Sequence, residues 1–195
     1  MKILRLLIFL TIPSVAFSQQ TYLDSMEAYR RDYIEKHEVV TGDDRKLLDF
    51  YNINEKYRVL ARMEKHTDNQ WFQMPTSGSI SKTFRVYGIL HFTINDTSVS
   101  LPVYQSQNLM NMDQYRHHLF LPFTDISSGT ETYETGRYID LDISDIKDGK
   151  IVIDFNKAYN PYCAYVSGKY NCPIPPTANR LNVLIAAGEK AYLKK

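Results

Sequence analysis

The stretch "DISSGTETYETGR" (residues 125–137) brings acidic, hydroxyl and guanidinium groups close together in the sequence. It begins with the carboxylate of Asp125, offers the aromatic ring of Tyr133, and ends at Arg137, just before a predicted strand. A guanidinium near a carboxylate can bind an anionic or sugar-like ligand through paired hydrogen bonds. The same two groups can also form an ion pair that only fixes the loop, and ion pairs are often structural.

A second stretch, "DFNKAYNPYCAYVSGKYNCPIPPTANRL" (residues 154–181), contains both cysteines of the chain and four of its eight prolines. Side chains at its start could line a polar pocket beside an aromatic wall: Asp154, Asn156, Tyr159 and Asn160. Asparagine and aspartate in such loops also bond their own backbone, so each can be purely structural. The two stretches predict a small polar ligand bound by loops 125–137 and 154–163.

Carboxylates in these regions leave an enzymatic alternative open. A hydrolase of the cell envelope could use two of Asp125, Asp154 and Glu189, because a pair of carboxyl groups can divide the roles of general acid and general base. Nucleophilic catalysis has less support, since the sequence lacks a Gly-x-Ser-x-Gly motif and Cys163 has a second cysteine nearby. A structural or interaction domain without a ligand is the third alternative.

Metal and nucleic-acid binding find little support in the sequence. The five histidines and two cysteines form no His-Glu-x-x-His or Cys-x-x-Cys motif. Asp142, Asp145 and Asp148 are spaced by three, whereas a calcium loop begins with a spacing of two. A formal net charge of +1 offers no bulk attraction for polyanions. We therefore predict no metal, no cofactor and no nucleic-acid partner.

Residues 1–18 have the layout of a secretory signal peptide. Basic residues precede an apolar run that ends in small residues at Ser18, so cleavage is expected before Gln19. The run is too short to cross ~30 Å of hydrocarbon, and no stable membrane anchor is expected after cleavage. The mature protein would be exported to the periplasm or outside the cell. In that oxidising compartment Cys163 and Cys172 should form a local disulfide worth about 2.7 kcal/mol.

Two helices are predicted to follow the signal peptide. Asp24 and Glu27 have the spacing of a capping box, in which each side chain accepts from a free backbone N–H of the first helical turn. An amphipathic helix is therefore predicted over residues 25 to about 38, and a shorter helix after Thr41.

The apolar period changes to two in the rest of the chain, which indicates strands. Alternate residues from Phe84 to Ile94 are predicted to share one face, and "NDTS" can turn this strand into a hairpin over residues 84–105. A second hairpin turn is predicted at "KDGK", and a last strand at "LNVLIAAGE" (residues 181–189). We predict one α+β domain over residues 19–195, predominantly antiparallel β. Its seven to eight strands would form a sandwich or partly open barrel, with the N-terminal helices packed at one end.

Three motifs carry a resemblance to a known family: "GTETYETGRYIDLD" (residues 129–142), the stretch 154–181, and "AAGEK" (residues 186–190). With them the chain resembles the uncharacterised bacterial family called domain of unknown function 1684, over most of the mature sequence. The family brings no established activity, cofactor or catalytic residue. The resemblance implies that the two loops and residues 188–190 belong to one kind of domain, and we expect them to lie together.

Overall fold

The structure, a computed structural model, describes residues 14–193. Residues 1–13 of the predicted signal peptide lie outside the described residues. The α-helices are α1 (Ser14–Glu35) and α2 (Gln107–Met110). The strands are β1 (Arg58–Lys65), β2 (Phe72–Met74), β3 (Lys82–Ile94), β4 (Thr97–Ser106), β5 (His118–Phe123), β6 (Arg137–Asp142) and β7 (Lys150–Asp154).

These strands form one curled antiparallel sheet in the order β6-β5-β4-β3-β1-β7, with β2 paired to β3 beside this path. The sheet has the shape of a half-barrel. This confirms the predicted α+β class with a partly open barrel. One face of the sheet packs on the main core, which takes side chains from six strands and from the C-terminal segment, residues 181–187. A smaller aromatic cluster lies on the opposite face of strands β3 to β6.

The predicted hairpin of residues 84–105 is confirmed as β3 and β4, which pair from Phe84 with Ser106 to Ile94 with Thr97. Its two-residue turn has positive φ at Asn95 (46°) and Asp96 (58°). Such a turn matches the right-handed twist of the strands, and Asn and Asp tolerate positive φ better than other residues with a Cβ.

A β-bulge between Val86 and Gly88 interrupts this hairpin. The extra residue reverses which side of the sheet the following side chains face. Phe84 therefore joins the aromatic cluster, whereas Leu90 packs in the main core. The prediction that both lie on one face is wrong for this reason. A Cβ added at Gly88 would come within 2.5 Å of Met63 Sδ, so the strands approach closely at the bulge.

The predicted helices differ from the structure at their ends. α1 passes through Asp24 and Glu27, so the capping box does not start it, and Asp24 instead accepts from Gln20 Nε2 at 2.9 Å within the helix. α1 ends before residue 38, because His37 Nδ1 accepts from the backbone N–H groups of the next turn. The second helix is the 3-10 helix Gly42–Leu47.

The "KDGK" turn forms, with positive φ at Asp148 (49°) and Gly149 (70°), but the hairpin predicted around it is wrong. Strands β6 and β7 lie at opposite ends of the sheet order and do not pair. The chain leaves β6 through the 3-10 helix Ile143–Asp145, which Asp142 caps by accepting from Ser144 N. This helical turn removes the extended backbone that a hairpin arm needs, and the chain crosses to the other edge.

The predicted last strand is also wrong. Alternate side chains of the C-terminal segment are buried, as in a strand: Leu181, Val183, Ile185 and Ala187. The segment nevertheless makes no ladder with any described strand, and the nearest isolated bridges are at Arg180 and Glu189, just outside it. Some of its backbone groups bond to the backbone at residues 124 and 126, and others are bonded by side chains, which the next section describes.

Candidate functional site

Arg137 has no exposed surface and lies on the face of β6 that points to the main core. Its Nη1 donates to the carbonyl oxygens of Ala187 and, at 3.2 Å, of Glu189. Its Nη2 donates to Ile185 O at 3.0 Å and to Asp125 Oδ1 at 3.3 Å. The guanidinium thus donates to carbonyls that would bond the backbone N–H groups of a neighbouring strand in a regular sheet.

Asp125 completes this arrangement from the other loop. Its carboxylate accepts from Ile185 N at 2.7 Å and from Ser127 Oγ at 2.9 Å, besides Arg137. Burial lowers the pKa of Arg137, and the adjacent Asp125 carboxylate opposes this shift. Charged groups are stable in the interior only when they are paired and hydrogen-bonded, and both groups meet this condition.

Asp154 and Asn156 connect the end of β7 to two distant parts of the chain. Asp154 accepts from the hydroxyl of Tyr22 in α1 at 3.0 Å and from Asn156 N at 3.0 Å. The amide of Asn156 accepts from Asn54 N at 3.0 Å and donates to Asn54 O at 2.9 Å. Asp154 also lines a small cavity of about 250 Å³, together with Arg58.

Glu189 is fully buried. Its carboxyl group accepts from Tyr165 OH at 2.6 Å, from Tyr33 OH at 3.0 Å and from Asn160 N at 2.9 Å. Burial raises the pKa of Glu189 to about 7, although these donors pull it back towards the ordinary value. The same burial, with the Glu189 charge, raises the pKa of Tyr33 and Tyr165 far above the usual range of tyrosine.

The two loops and residues 188–190 do lie together, as predicted. Tyr138 and Tyr159 exchange backbone hydrogen bonds of 2.9 and 3.0 Å, which joins the first strand after loop 125–137 to loop 154–163. Arg137 and Asn160 both bond Glu189. The polar groups that meet here are directed at the protein's own backbone and side chains.

A larger cavity of about 930 Å³ lies on the opposite face of the sheet, under α1. Its base is a row of four rings, here called the aromatic floor: Phe84, Phe120, Tyr138 and Tyr159. Phe84 stacks on Phe120 with ring centroids 5.4 Å apart. Tyr138 meets Phe120 edge-on at 4.7 Å and Tyr159 at 5.8 Å. Offset-stacked and edge-on arrangements are the favoured geometries for aromatic pairs.

The other walls of this cavity come from α1, from α2 with the turn after it, and from the loop 161–173. They include Tyr29, Tyr33, Leu109, Met112, Tyr162 and Tyr170. The loop is closed by the predicted disulfide, which is confirmed between Cys163 and Cys172 with an S–S distance of 2.10 Å. A covalent crosslink in the wall limits how far the cavity can change its shape.

A polar group at the cavity combines an imidazole with a carboxylate. His118 Nε2 lies 2.8 Å from Asp140 Oδ1, and Tyr159 OH donates to Asp140 Oδ2 at 2.9 Å. Because a carboxylate only accepts, His118 carries a proton on Nε2. An imidazole held in this way can transfer protons. Neither residue is among the predicted site residues, although each is two positions from a ring of the aromatic floor on the same strand.

The predicted site residues are distributed unevenly over these features. Tyr159 lines the large cavity and Asp154 the small one. The rest line neither of these two cavities: Asp125, Tyr133, Arg137, Asn156, Asn160 and Glu189. Among residues 14–193, no group of His, Cys, Asp and Glu side chains has a metal-binding arrangement. No helix within the same range is long and apolar enough to cross a membrane.

Comparisons with known proteins identify relatives for which no activity is established. A family model with the description "Protein of unknown function (DUF1684)" matches residues 44–190. A comparison with curated proteins gives no match. The chain is similar to an uncharacterised protein of Haloarcula marismortui, solved by solution NMR, with 26% identity and a TM-score of 0.67. The similarity covers 91% of this chain and 98% of that one.

Proposed function

We propose a function from the geometry, because the chain belongs to the family of unknown function DUF1684, as its motifs predicted, and this family has no established activity. The protein binds a small organic molecule in the large cavity, above the aromatic floor. The observation that carries this proposal is the cavity itself, about 930 Å³ between α1 and the sheet. Ligand pockets span about 300–1,000 Å³ and combine mostly apolar walls with a few polar groups.

The shape of the floor indicates the body of the ligand. The rings of Phe84 and Phe120 are nearly parallel, with 25° between their planes, and Tyr138 and Tyr159 continue the apolar surface with edge-on contacts, so that a ring or another planar apolar group can pack against it. The sequence suggested a small polar ligand held by Arg137, Tyr133, Asp154, Asn156 and Asn160, and that role stays a prediction. Most of their polar atoms already have partners inside the fold, which favours the cavity as the site.

A blocking substitution tests this proposal. Asn108 is exposed and lines the cavity on α2. Asn108→Trp should fill part of the space and weaken binding of the neutral fluorescent probe N-phenyl-1-naphthylamine at least about tenfold, a difference of about 1.4 kcal/mol. The affinity is measured by fluorescence titration of the purified protein.

Asn111→Trp is the matched control. Asn111 is also exposed, follows α2 directly, and does not line the cavity. We expect this variant to bind the probe like the wild type. Equal affinity for all three proteins, or no binding by the wild type, would show that the cavity is not the site.

Hydrolysis is a second candidate function, favoured by the pairing of His118 with Asp140 beside the floor. The acid and base predicted from Asp125, Asp154 and Glu189 stays a prediction, and no two of them line the same described cavity. Turnover of 1-naphthyl acetate that is lost in His118→Gln would support hydrolysis. Probe binding without turnover would indicate a binding domain. If neither binding nor turnover is detected, the structural or interaction domain is the remaining alternative.

We propose that the protein is exported after cleavage before Gln19, as the sequence predicts. The disulfide between Cys163 and Cys172 supports this proposal, since structural disulfides persist in oxidising compartments. The proposed partner is a small molecule, with no nucleic acid and no membrane anchor. Intact mass of the protein from the exported fraction should correspond to a chain that starts at Gln19 and has no free thiol. Retention of residues 1–18 or two reactive thiols would contradict export.

A further inference from the structure

The charged side chains that line the large cavity differ in whether they have partners. Five of them come from described residues: Asp32, Lys36, Glu38, Lys82 and Asp140. Lys36 Nζ lies 2.6 Å from Asp32 Oδ1 in an ion pair along α1. Asp140 accepts from His118 and Tyr159, as described above. The carboxylate of Glu38 accepts a hydrogen bond from a tyrosine hydroxyl at 2.8 Å. Each acidic group on the wall is therefore held by a donor.

Lys82 is the exception. Its ammonium makes no ion pair and no side-chain hydrogen bond to any residue in the range 14–193. Lys82 is an exposed residue, although partial loss of hydration beside the protein lowers the pKa of its ammonium, with no carboxylate acting to raise it. Loss of hydration disfavours the charged form of an ammonium, whereas an opposite charge at contact distance favours it. An anion bound in the cavity could pair with this ammonium without displacing a carboxylate of the protein.

The position of Lys82 relates this ammonium to the aromatic floor. Lys82 is the first residue of β3 and precedes Phe84 by two, so both side chains lie on the same side of the strand before the bulge. Phe84 is in turn stacked on Phe120, with an angle of 25° between the ring planes. Lys82 thus lines the cavity beside the Phe84 end of the aromatic floor.

We infer that the ligand of this cavity is an organic anion, with a flat apolar body on the aromatic floor and an acidic group at Lys82 Nζ. This inference rests on the proposed function and adds the charge of the ligand. A cationic ligand would find the carboxylates of the wall already bonded, and it would be repelled by Lys82. A charge-assisted hydrogen bond to the ammonium is stronger than a neutral one, so the acidic group should contribute both affinity and orientation.

A pair of probes with the same rings tests the inference. 1-Anilinonaphthalene-8-sulfonate carries a sulfonate, and N-phenyl-1-naphthylamine is the same molecule without it. Lys82→Met should weaken binding of the sulfonate probe about tenfold, while affinity for the neutral probe stays within about twofold of wild type. Lys82→Arg keeps the positive charge and should retain the preference for the sulfonate.

Lys36→Met is the matched control, because Lys36 also lines the cavity and carries the same charge, but is already paired with Asp32. It should leave the ratio of the two affinities unchanged. Displacement of the sulfonate probe from the wild type by 1-naphthoate or by 1-naphthyl phosphate would also support the inference. The competitor that binds more tightly would show whether a carboxylate or a phosphate is preferred.

The possible failures are distinguishable. If Asn108→Trp weakens binding of the neutral probe, but Lys82→Met weakens binding of both probes equally, the inference is wrong and the proposed function stands. If Lys36→Met and Lys82→Met lose the same affinity for the sulfonate probe, the loss comes from the overall charge near the cavity, and the inference is also wrong. No binding of either probe by the wild type would contradict both proposals.

Discussion

The guanidinium of Arg137 bonds the carbonyls of three alternate residues near the C-terminal end of the chain: Ile185, Ala187 and Glu189. Replacing it with Met would leave these buried carbonyls without this donor and the buried Asp125 carboxylate without its charged partner. Removal of one partner from a buried ion pair costs about 3–5 kcal/mol. We expect Arg137→Met to lower the free energy of unfolding by an amount in that range, as measured by urea denaturation.

Arg62→Met is the control for this prediction. Arg62 is exposed and lies 3.4 Å from Glu64 in a surface ion pair, which is worth at most about 1 kcal/mol. If Arg137→Met is as stable as Arg62→Met, the guanidinium does not hold the segment. Loss of probe binding in such a stable variant would instead support the ligand-binding role that the sequence suggested.

Glu189 should make stability depend on pH. Its folded pKa of about 7 is above the ordinary 4.5, so the folded state binds the proton more tightly than the unfolded state. Stability from this group is therefore fully present below about pH 4.5 and declines as the pH rises to about 7. Urea denaturation across this range should show wild type losing stability relative to Glu189→Gln as the pH rises. Parallel curves for the two proteins would contradict the pKa shift.

Residue types alone identified several groups that matter, but did not show what they contact. Arg137, Asp125, Asn156 and Glu189 were candidates because charged and amide groups concentrate in loops. All four are buried and bonded within the protein. The carbonyl partners of Arg137 lie 48 to 52 residues away in the sequence, so local spacing does not show whether its side chain faces a ligand or these carbonyls.

At the scale of elements, periodicity predicted most strands and their hairpin correctly, because apolar alternation follows directly from burial of one face. The prediction from periodicity failed where the buried face of a segment does not determine which groups bond its backbone. The C-terminal segment alternates like a strand, yet side chains of Arg137 and Asp125 bond its backbone. The bulge after Val86 likewise preserves the apolar pattern of β3 while it changes the face.

The cavity was missed for a related reason. Phe120 and Tyr138 read as ordinary strand residues, and nothing in their spacing shows that the two strands are paired. The structure aligns Phe120 with Asp140 and Pro122 with Tyr138 across strands β5 and β6, which collects the rings on one face. Register between strands of distant sequence is set by the whole sheet, and a single sequence does not reveal it.

For the whole molecule, α1 has a role that the family match does not include. The match covers residues 44–190, whereas α1 forms one wall of the large cavity through Tyr29 and Tyr33. The helix is attached to the rest of the fold by bonds from Tyr22 to Asp154 and from Tyr33 to Glu189. The cavity therefore depends on a segment outside the matched region.

The bulge in β3 places one continuous strand in two side-chain clusters, with Phe84 in the cavity floor and Leu90 in the main core. We therefore expect the floor and the core to unfold in one transition. A ligand that binds only the folded state adds about 2.7 kcal/mol to global stability at roughly one hundred times its dissociation constant. We therefore expect a ligand of the cavity to raise the melting temperature of the entire protein, which would allow unlabelled compounds to be screened by thermal denaturation alone.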